Sequence, residues 1–187
     1  EETGIAWTFA RDKRVGAWCV FNNVPWTEVQ NHGVQRRLAS RNGWAKSWDQ
    51  LMLEPMVAAP ALKPVEIDLR SIPSAKDLGL KPDPCPERQL GGREAGLRCL
   101  ESFLYERGET YRSAMSSPVS GSKACSRMSH YLDWGAVSMR EVAQATWARK
   151  TEVKGRKGWA GSIRSFEGRL HWHCHFMQKL EDDPRIE

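Results

Sequence analysis

The sequence comprises 187 residues, of which 40% are hydrophobic and 27% charged, and its 28 Lys and Arg against 23 Asp and Glu give a formal net charge of +5. This composition excludes an intrinsically disordered chain and suits one ordinary domain, or one domain with part of another. The basic excess favours a polyanionic partner such as nucleic acid without requiring one.

The cysteines and the hydropathy pattern exclude two further classes of protein. The five cysteines are odd in number, widely spaced and never in a C-x-x-C pair: Cys19, Cys85, Cys99, Cys125 and Cys174. This spacing predicts neither a disulfide framework nor a zinc ribbon. No apolar run approaches the roughly 20 residues that span a bilayer, and the first residues lack secretory-signal character. We expect reduced thiols in a cytoplasmic protein that does not contact a membrane.

The first 38 residues predict a helix followed by a short strand. Residues 7–21 place apolar side chains at roughly helical spacing, and residues 24–29 alternate like a strand. A helix followed by a strand is typical of α/β folds. Because the chain opens without Met and ends without a polar tail, we expect an interior fragment of a longer protein, cut inside an α/β domain.

Residues 39–90 predict a long interdomain linker. Most of the ten prolines fall in this segment, and they surround one short helical candidate at about residues 44–53. Proline lacks the backbone N–H that regular structure needs, so the segment is expected to run over a surface.

From residue 91 onward the pattern predicts a helical domain. Apolar side chains follow Gly91-Gly92 at helical spacing: Leu97, Leu100, Phe103 and Leu104. Ser138 and Glu141 form a capping box, which opens an amphipathic helix with an apolar face: Met139, Val142, Ala143, Thr146 and Trp147. A basic, glycine-punctuated loop follows, and the final helix is expected from about residue 161.

The final helix carries two stripes of different chemistry. One is apolar and predicts a core face: Ile163, Phe166, Leu170, Cys174 and Met177. The other mixes charge, imidazole and aromatic rings at the same spacing: Arg169, Trp172, His173 and Phe176. Such a mixture does not suit a dry core and indicates one wall of a pocket for a planar, anionic ligand.

A metal site on the same helix is the alternative interpretation. His171 and His175 are four residues apart on one face, with Cys174 beside them. No carboxylate and no second Cys/His pair sits at metal-ligand spacing, and histidines at this spacing are common on solvated faces. We therefore predict no metal ligand.

Two other segments have a functional and a structural interpretation. Residues 125–129 precede a short helical stretch that ends at Gly135, and their serines and arginine suit either phosphate binding at a helix start or an ordinary N-cap. The basic loop includes Lys154, Arg156 and Lys157 between Trp147 and Trp159. It suits either a nucleic-acid patch with stacking faces or a solvated connection.

Taken together, residues 125–142 resemble the flavin-domain signature of the DNA photolyase and cryptochrome family. In that family the run reads Thr-Ser-x-Leu-Ser-x-Tyr-Leu, then two residues, then Gly-x-Leu-Ser, and here it reads Cys-Ser-Arg-Met-Ser-His-Tyr-Leu-Asp-Trp-Gly-Ala-Val-Ser. The family's Glu-Leu-x-Trp-Arg-Glu-Phe-Tyr helix is matched at Leu170 and Trp172, with aromatic character at Phe176. Upstream, Arg11-Asp12 resembles the start of a late helix in the family's antenna domain.

The resemblance implies a domain organisation and a set of site residues. Residues 1–38 would end a Rossmann-like α/β antenna domain, 39–90 would be the linker, and 91–187 would begin a helical, FAD-binding domain that the chain contains in part. Trp172 would stack on the lesion and act as the catalytic residue, and the basic loop would add DNA contacts through Lys154, Arg156 and Lys157. The implied cofactor-binding residues are Tyr111, Cys125, Ser126, Arg127, Met128, Ser129, Arg169 and His173.

Three positions depart from the family pattern. Cys125 replaces a hydroxyl donor, Arg169 reverses the charge of a cavity glutamate, and His173 replaces an arginine that contacts flavin. These departures indicate a divergent branch and weaken the expectation that pyrimidine dimers are the substrate.

The implied function is light-dependent repair of pyrimidine photolesions in damaged DNA by a monomeric protein with FAD. An antenna chromophore would bind in the preceding region of the full-length protein, and the fragment alone is expected to be inactive. A cryptochrome-like photoreceptor without repair activity is the first alternative. A metal-binding or purely structural helical protein is the second.

Overall fold

The computed structural model describes residues 6–64, 66, 71–82 and 84–186, and within them the chain is mainly helical and has no β-strand. The α-helices are α1 (Ala6–Phe21), α2 (Trp44–Leu53), α3 (Arg93–Ser102), α4 (Tyr111–Ala114), α5 (Pro118–Ala124), α6 (Ser129–Asp133), α7 (Met139–Glu152) and α8 (Trp159–Asp182). A π-helical turn occupies Phe103–Arg107, and 3₁₀ turns occupy Gly108–Thr110 and Pro184–Ile186. None of the described helices combines the length and the apolar character needed to cross a bilayer.

The chain divides into two compact units. Residues 1–56 and 91–187 form the first, and residues 57–90 form the second. The described part of the second unit consists of turns and irregular structure, including a turn in which the Asp77 carboxylate accepts from the backbone N–H of Ser74 at 2.9 Å. α2 belongs to the first unit although it lies inside the predicted linker, because Gln144 of α7 donates to the Met52 carbonyl at 2.8 Å.

Helix α8 supplies much of the core of the first unit. Its buried apolar residues are those of the predicted core stripe over the first four turns: Ile163, Phe166, Leu170 and Cys174. At the last position the prediction was wrong, because Met177 is half-buried and Gln178 is fully buried. The Gln178 amide exchanges two hydrogen bonds with the backbone of Gln35, at 2.7 and 3.0 Å, and so a polar side chain satisfies its hydrogen bonds at a core position.

Helix α7 forms as its sequence predicts. The Ser138 hydroxyl and the Glu141 carboxylate make the reciprocal hydrogen bonds of a capping box. The predicted apolar face is buried, with Trp147 at its margin, where it meets Trp48 of α2 edge to face at 6.2 Å between ring centroids. These contacts hold α2, α7 and α8 in one core.

The N-terminal segment differs from its prediction. α1 forms over the expected residues, but Val15 and Trp18 of its apolar stripe are 39% and 58% exposed, and Cys19 is buried. The predicted strand at residues 24–29 is wrong, since these residues lie outside any helix or strand. A strand needs a neighbouring strand for its backbone hydrogen bonds, and the described residues provide none. The assignment of residues 1–38 to an α/β domain stays a prediction.

Candidate functional site

The predicted cofactor-binding residues lie together around one cavity of about 310 Å³. All eight line it, and three apolar side chains complete the lining: Leu132, Phe166 and Leu170. The eight come from distant parts of the sequence, since Tyr111 and His173 belong to different helices and residues 125–129 to neither. The fold therefore brings together a set of residues that was selected from the sequence alone.

Three elements form the walls of this cavity. Tyr111 begins α4, residues 125–128 form the connection from α5 to α6, and Arg169 and His173 are four residues apart on one face of α8. Tyr111 is held by edge-to-face contacts with the core ring of Phe166, at 6.0 Å between centroids. The polar wall residues are thus anchored in well-packed helices on two sides and in a short connection on the third.

The connection from α5 to α6 is fixed by an arginine that sequence reasoning missed. Arg107 donates to the carbonyl oxygens of Cys99 at 3.2 Å and Ser126 at 2.8 Å, and also to that of Cys125. Its Nε donates to the Ser102 hydroxyl at 3.0 Å. One guanidinium thus joins two segments that are distant in the sequence, a contact for which the sequence carries no signal.

A π-helical turn aims Arg107 at these carbonyls. Gly108 directly follows the turn, and an added Cβ there would overlap the carbonyl oxygen of Phe103, so the close approach of these two residues requires glycine. Single π-helical turns within helical segments occur often at functional sites. In the connection itself, Arg127 has a φ of 60°, in the left-handed region that non-glycine residues seldom occupy.

The helix start at α6 differs from an ordinary N-cap. Met128 occupies the N-cap position and no side chain caps the helix. The hydroxyls of Ser126 and Ser129 line the cavity and, among the described residues, neither makes a hydrogen bond. They are therefore available to a ligand, and the exposed side chains of Arg127 and Arg169 line the same cavity.

Burial sets the protonation of the two titratable rings in the cavity. It raises the pKa of the Tyr111 phenol, an effect that the neighbouring Arg169 opposes. It lowers the pKa of His173, partly offset by the Asp133 carboxylate. At neutral pH the cavity therefore presents a phenol and a neutral imidazole beside two cations, which suits an anionic ligand with a planar part.

Trp172 lies beside the cavity and does not line it. Its side chain is 54% exposed, and the Arg169 guanidinium stacks over the ring at 4.5 Å from the centroid. Phe176, 56% exposed, meets it edge to face at 6.1 Å. The mixed stripe of α8 therefore presents an exposed aromatic surface next to the cavity, linked to it by Arg169.

The residues of the alternative metal site have other contacts. His171 Nε2 lies 2.9 Å from an Asp49 carboxylate oxygen, and its ring lies against Trp48 at 4.0 Å between centroids. His175 meets Trp44 edge to face, and Cys174 is fully buried. In the described part of the chain no three His, Cys, Asp or Glu side chains are grouped as a metal would require.

The basic loop precedes the N-terminal end of α8, whereas Trp172 lies just past the middle of that helix. Lys154, Arg156 and Lys157 precede the helix, and thirteen residues at 1.5 Å each separate its first residue, Trp159, from Trp172, about 20 Å along the axis. The structure therefore does not combine all the predicted DNA contacts in one site. The flanking tryptophans are partly buried: Trp159 packs under Arg149, and the Trp147 indole N–H donates to Glu167 at 2.9 Å.

No protein family, no curated protein and no solved structure matches the chain. The resemblance to photolyases and cryptochromes consequently stays a prediction.

Proposed function

We propose that this chain is part of a light-driven, FAD-dependent DNA repair protein related to the photolyases. The supporting observation is that all eight residues assigned to the cofactor by the resemblance line one cavity, with the assigned lesion-stacking residue, Trp172, beside it. The eight residues belong to three separate parts of the chain, residue 111, residues 125–129 and residues 169–173, and all three border the same cavity.

The donor set in the cavity fits a dinucleotide. Two unused hydroxyls, on Ser126 and Ser129, and two guanidinium groups, on Arg127 and Arg169, suit the oxygens of a diphosphate. The apolar side of the cavity suits a ring. At about 310 Å³ the cavity is at the small end of ligand pockets and would hold part of a dinucleotide.

In this proposal the residues of the chain bind, orient and exclude water. Arg107 holds the connection that carries Ser126, and Arg169 links the diphosphate region to the aromatic surface. Trp172 stacks on a flipped-out pyrimidine lesion, because an exposed indole face offers a nucleobase about 1–3 kcal/mol of stacking free energy. When bound, the reduced flavin would supply the photoexcited electron that splits the lesion and would take that electron back after the splitting, and the protein supplies no covalent chemistry of its own.

A photoreceptor without repair activity is the second candidate. It is favoured by the charge pattern at the cavity, where Arg169 stands in place of the family's glutamate and His173, neutral at pH 7, in place of its flavin-contacting arginine. Arg169 also stacks on Trp172, so this change lies next to the ring on which a lesion would stack.

The visible spectrum of the purified full-length protein, of which this chain is proposed to be a part, and a repair assay test the proposal. We expect flavin absorption in stoichiometric amount and blue-light-dependent loss of pyrimidine dimers or 6-4 products from an irradiated oligonucleotide. Bound flavin without repair of either lesion would favour the photoreceptor. A colourless protein that also takes up no added FAD, measured by equilibrium dialysis, would overturn both flavin proposals.

A further inference from the structure

Two adjoining depressions lie at the N-terminal end of α8, and none of their lining residues lines the cavity. One has a volume of about 690 Å³ and the other about 530 Å³. Gly155, Ala160 and Arg164 line both, so the two form one continuous trough. Its walls come from the basic loop, the start of α8, α4 and the end of α7, and its volume is larger than a single small anion requires.

The trough is lined by cations from separate elements: Arg112, Lys150, Lys154, Arg156, Lys157 and Arg164. Lys150 is paired with Glu167 at 2.6 Å. The other five are exposed, and within the described ranges none of them forms an ion pair. Arg112 approaches α8 closely because Gly161 has no side chain. A Cβ atom on Gly161 would lie 3.3 Å from Nη1 of Arg112.

This arrangement is electrostatically unfavourable without an anion. Like charges repel one another, and the N-terminal end of a helix already carries partial positive charge, so cations on both sides of the first turn of α8 destabilise the fold. The trough includes a single acidic residue among its described lining, Glu109, which lies against Gly158. A polyanion would remove the repulsion, whereas a single phosphate would neutralise only part of the five charges.

We propose that this trough binds the phosphate backbone of duplex DNA independently of sequence and of damage. The five unpaired cations would follow one strand, which presents a phosphate about every 3.4 Å along the helix axis. Arg112 and Arg164 belong to this site although neither stands in the basic loop. On α8 the trough is lined from Ala160 to Arg164, about 12 to 18 Å along the axis from Trp172, so it supplies affinity for any duplex while the lesion is recognised elsewhere. The choice of DNA as partner rests on the proposed function.

The test is binding of an undamaged, fluorescein-labelled duplex in the dark, followed by fluorescence anisotropy over a range of salt concentrations. For the unmodified protein we expect log K to fall with log salt with a slope of about −4, as for four or five phosphate contacts. Arg156→Gln with Lys157→Gln, and separately Arg112→Gln with Arg164→Gln, should each reduce the slope by about 2 and weaken binding at least tenfold in low salt.

A matched control carries the same loss of charge elsewhere. Arg14→Gln with Lys46→Gln also removes one arginine and one lysine from exposed positions, on α1 and α2, and should leave both the slope and the affinity within twofold. Circular dichroism on all variants verifies that the helices are retained, as expected because substitutions at exposed positions usually change stability little.

Three outcomes would overturn the inference: equal effects of the trough and control variants, competition by millimolar inorganic phosphate at constant ionic strength, or tighter binding to phosphatidylserine vesicles than to the duplex. None of these involves flavin. If the protein binds no FAD but its trough variants lose duplex binding, the proposed function is refuted and this site is supported. If the protein binds FAD and repairs lesions but its trough variants bind the duplex as the control variant does, this site is refuted and the proposed function is supported.

Discussion

The Arg107 guanidinium lies 2.8 Å from the carbonyl oxygen of Ser126, and this contact fixes the connection that forms one wall of the cavity. The same side chain binds the neighbouring carbonyl of Cys125 in this connection and that of Cys99 in α3. A charged donor shared among several carbonyl oxygens gives stronger hydrogen bonds than neutral donors do. Arg107 is therefore a positioning residue for Ser126, although it does not line the cavity.

Replacing Arg107 with Gln should lower the free energy of unfolding by about 2 kcal/mol, because several partly buried carbonyls lose their donor. Urea denaturation followed by circular dichroism measures the change. Arg98→Gln is the control: Arg98 is 66% exposed and pairs with Glu94 on its own helix, so a change within about 0.5 kcal/mol is expected. If both variants behave alike, the guanidinium does not hold the connection.

The exposed stacking face of Trp172 leads to a second prediction. Trp172→Ala should weaken binding of lesion-containing DNA roughly tenfold or more and leave flavin content unchanged, because Trp172 does not line the cavity. Trp18→Ala, at a position of similar exposure on α1, should change neither quantity. Binding titrations and flavin absorbance provide the measurements. Loss of flavin together with lesion binding would show that Trp172 has a structural role.

The capping box predicts unequal effects at two helix starts. Ser138→Ala should destabilise the protein by about 1 kcal/mol, because the Ser138 and Glu141 side chains satisfy each other's backbone N–H groups at the start of α7. Ser117 caps the short α5 through one 3.5 Å contact without a reciprocal partner, so Ser117→Ala should cost less. Chemical denaturation measures the free energy of unfolding of both variants. A larger decrease for Ser117→Ala than for Ser138→Ala would contradict the prediction.

Acid sensitivity should depend on His32. Burial lowers the pKa of His32 to about 4, and His173 and Arg36 add to the effect. The unfolded chain therefore binds a proton more readily than the native state does. The contribution to stability is complete above about pH 6.5 and is lost as the pH falls towards 4, by up to about 3 kcal/mol.

The variant His32→Asn tests this dependence, because Asn can still accept the 3.3 Å hydrogen bond from the Val34 N–H without titrating. The free energy of unfolding of this variant, measured from neutral pH down to about pH 4.5, should fall less steeply than that of the unmodified protein. His175→Asn alters a less buried ring and should change the slope less. Identical pH profiles for all three proteins would refute the prediction.

Two glycines should respond oppositely to the same substitution. A Cβ at Gly33 would overlap the indole of Trp48, which is 1% exposed, so Gly33→Ala should cost about 3 kcal/mol. Gly16 lies inside α1 with nothing within 4 Å of an added methyl group, and there Ala should stabilise by about 1 kcal/mol. Thermal or chemical unfolding distinguishes them, and a neutral Gly33→Ala would show that α2 can shift away.

The sequence predicted most of the helices because local patterns determine them. The capping box at Ser138, the helical spacing of residues 44–53 and the apolar stripe of α8 each depend on residues close in sequence, and each helix formed. The prediction of a strand at residues 24–29 was wrong because it depended on more than local sequence. Alternating apolar and polar residues show which side chains would share one side of a strand, but the strand forms only beside a second strand, and local alternation does not reveal whether one is present.

The cavity residues were selected by resemblance and lie together in the structure. The contacts that hold the cavity wall in place, and the residues that complete the trough, were decided only by the tertiary structure. Local sequence determined the helices and the chemistry available on each face. Arg107 reaching Ser126, Gln178 replacing Met177 in the core, and Arg112 joining the trough all depend on contacts between residues far apart in the chain. Such contacts arise when helices pack, and no local periodicity encodes them.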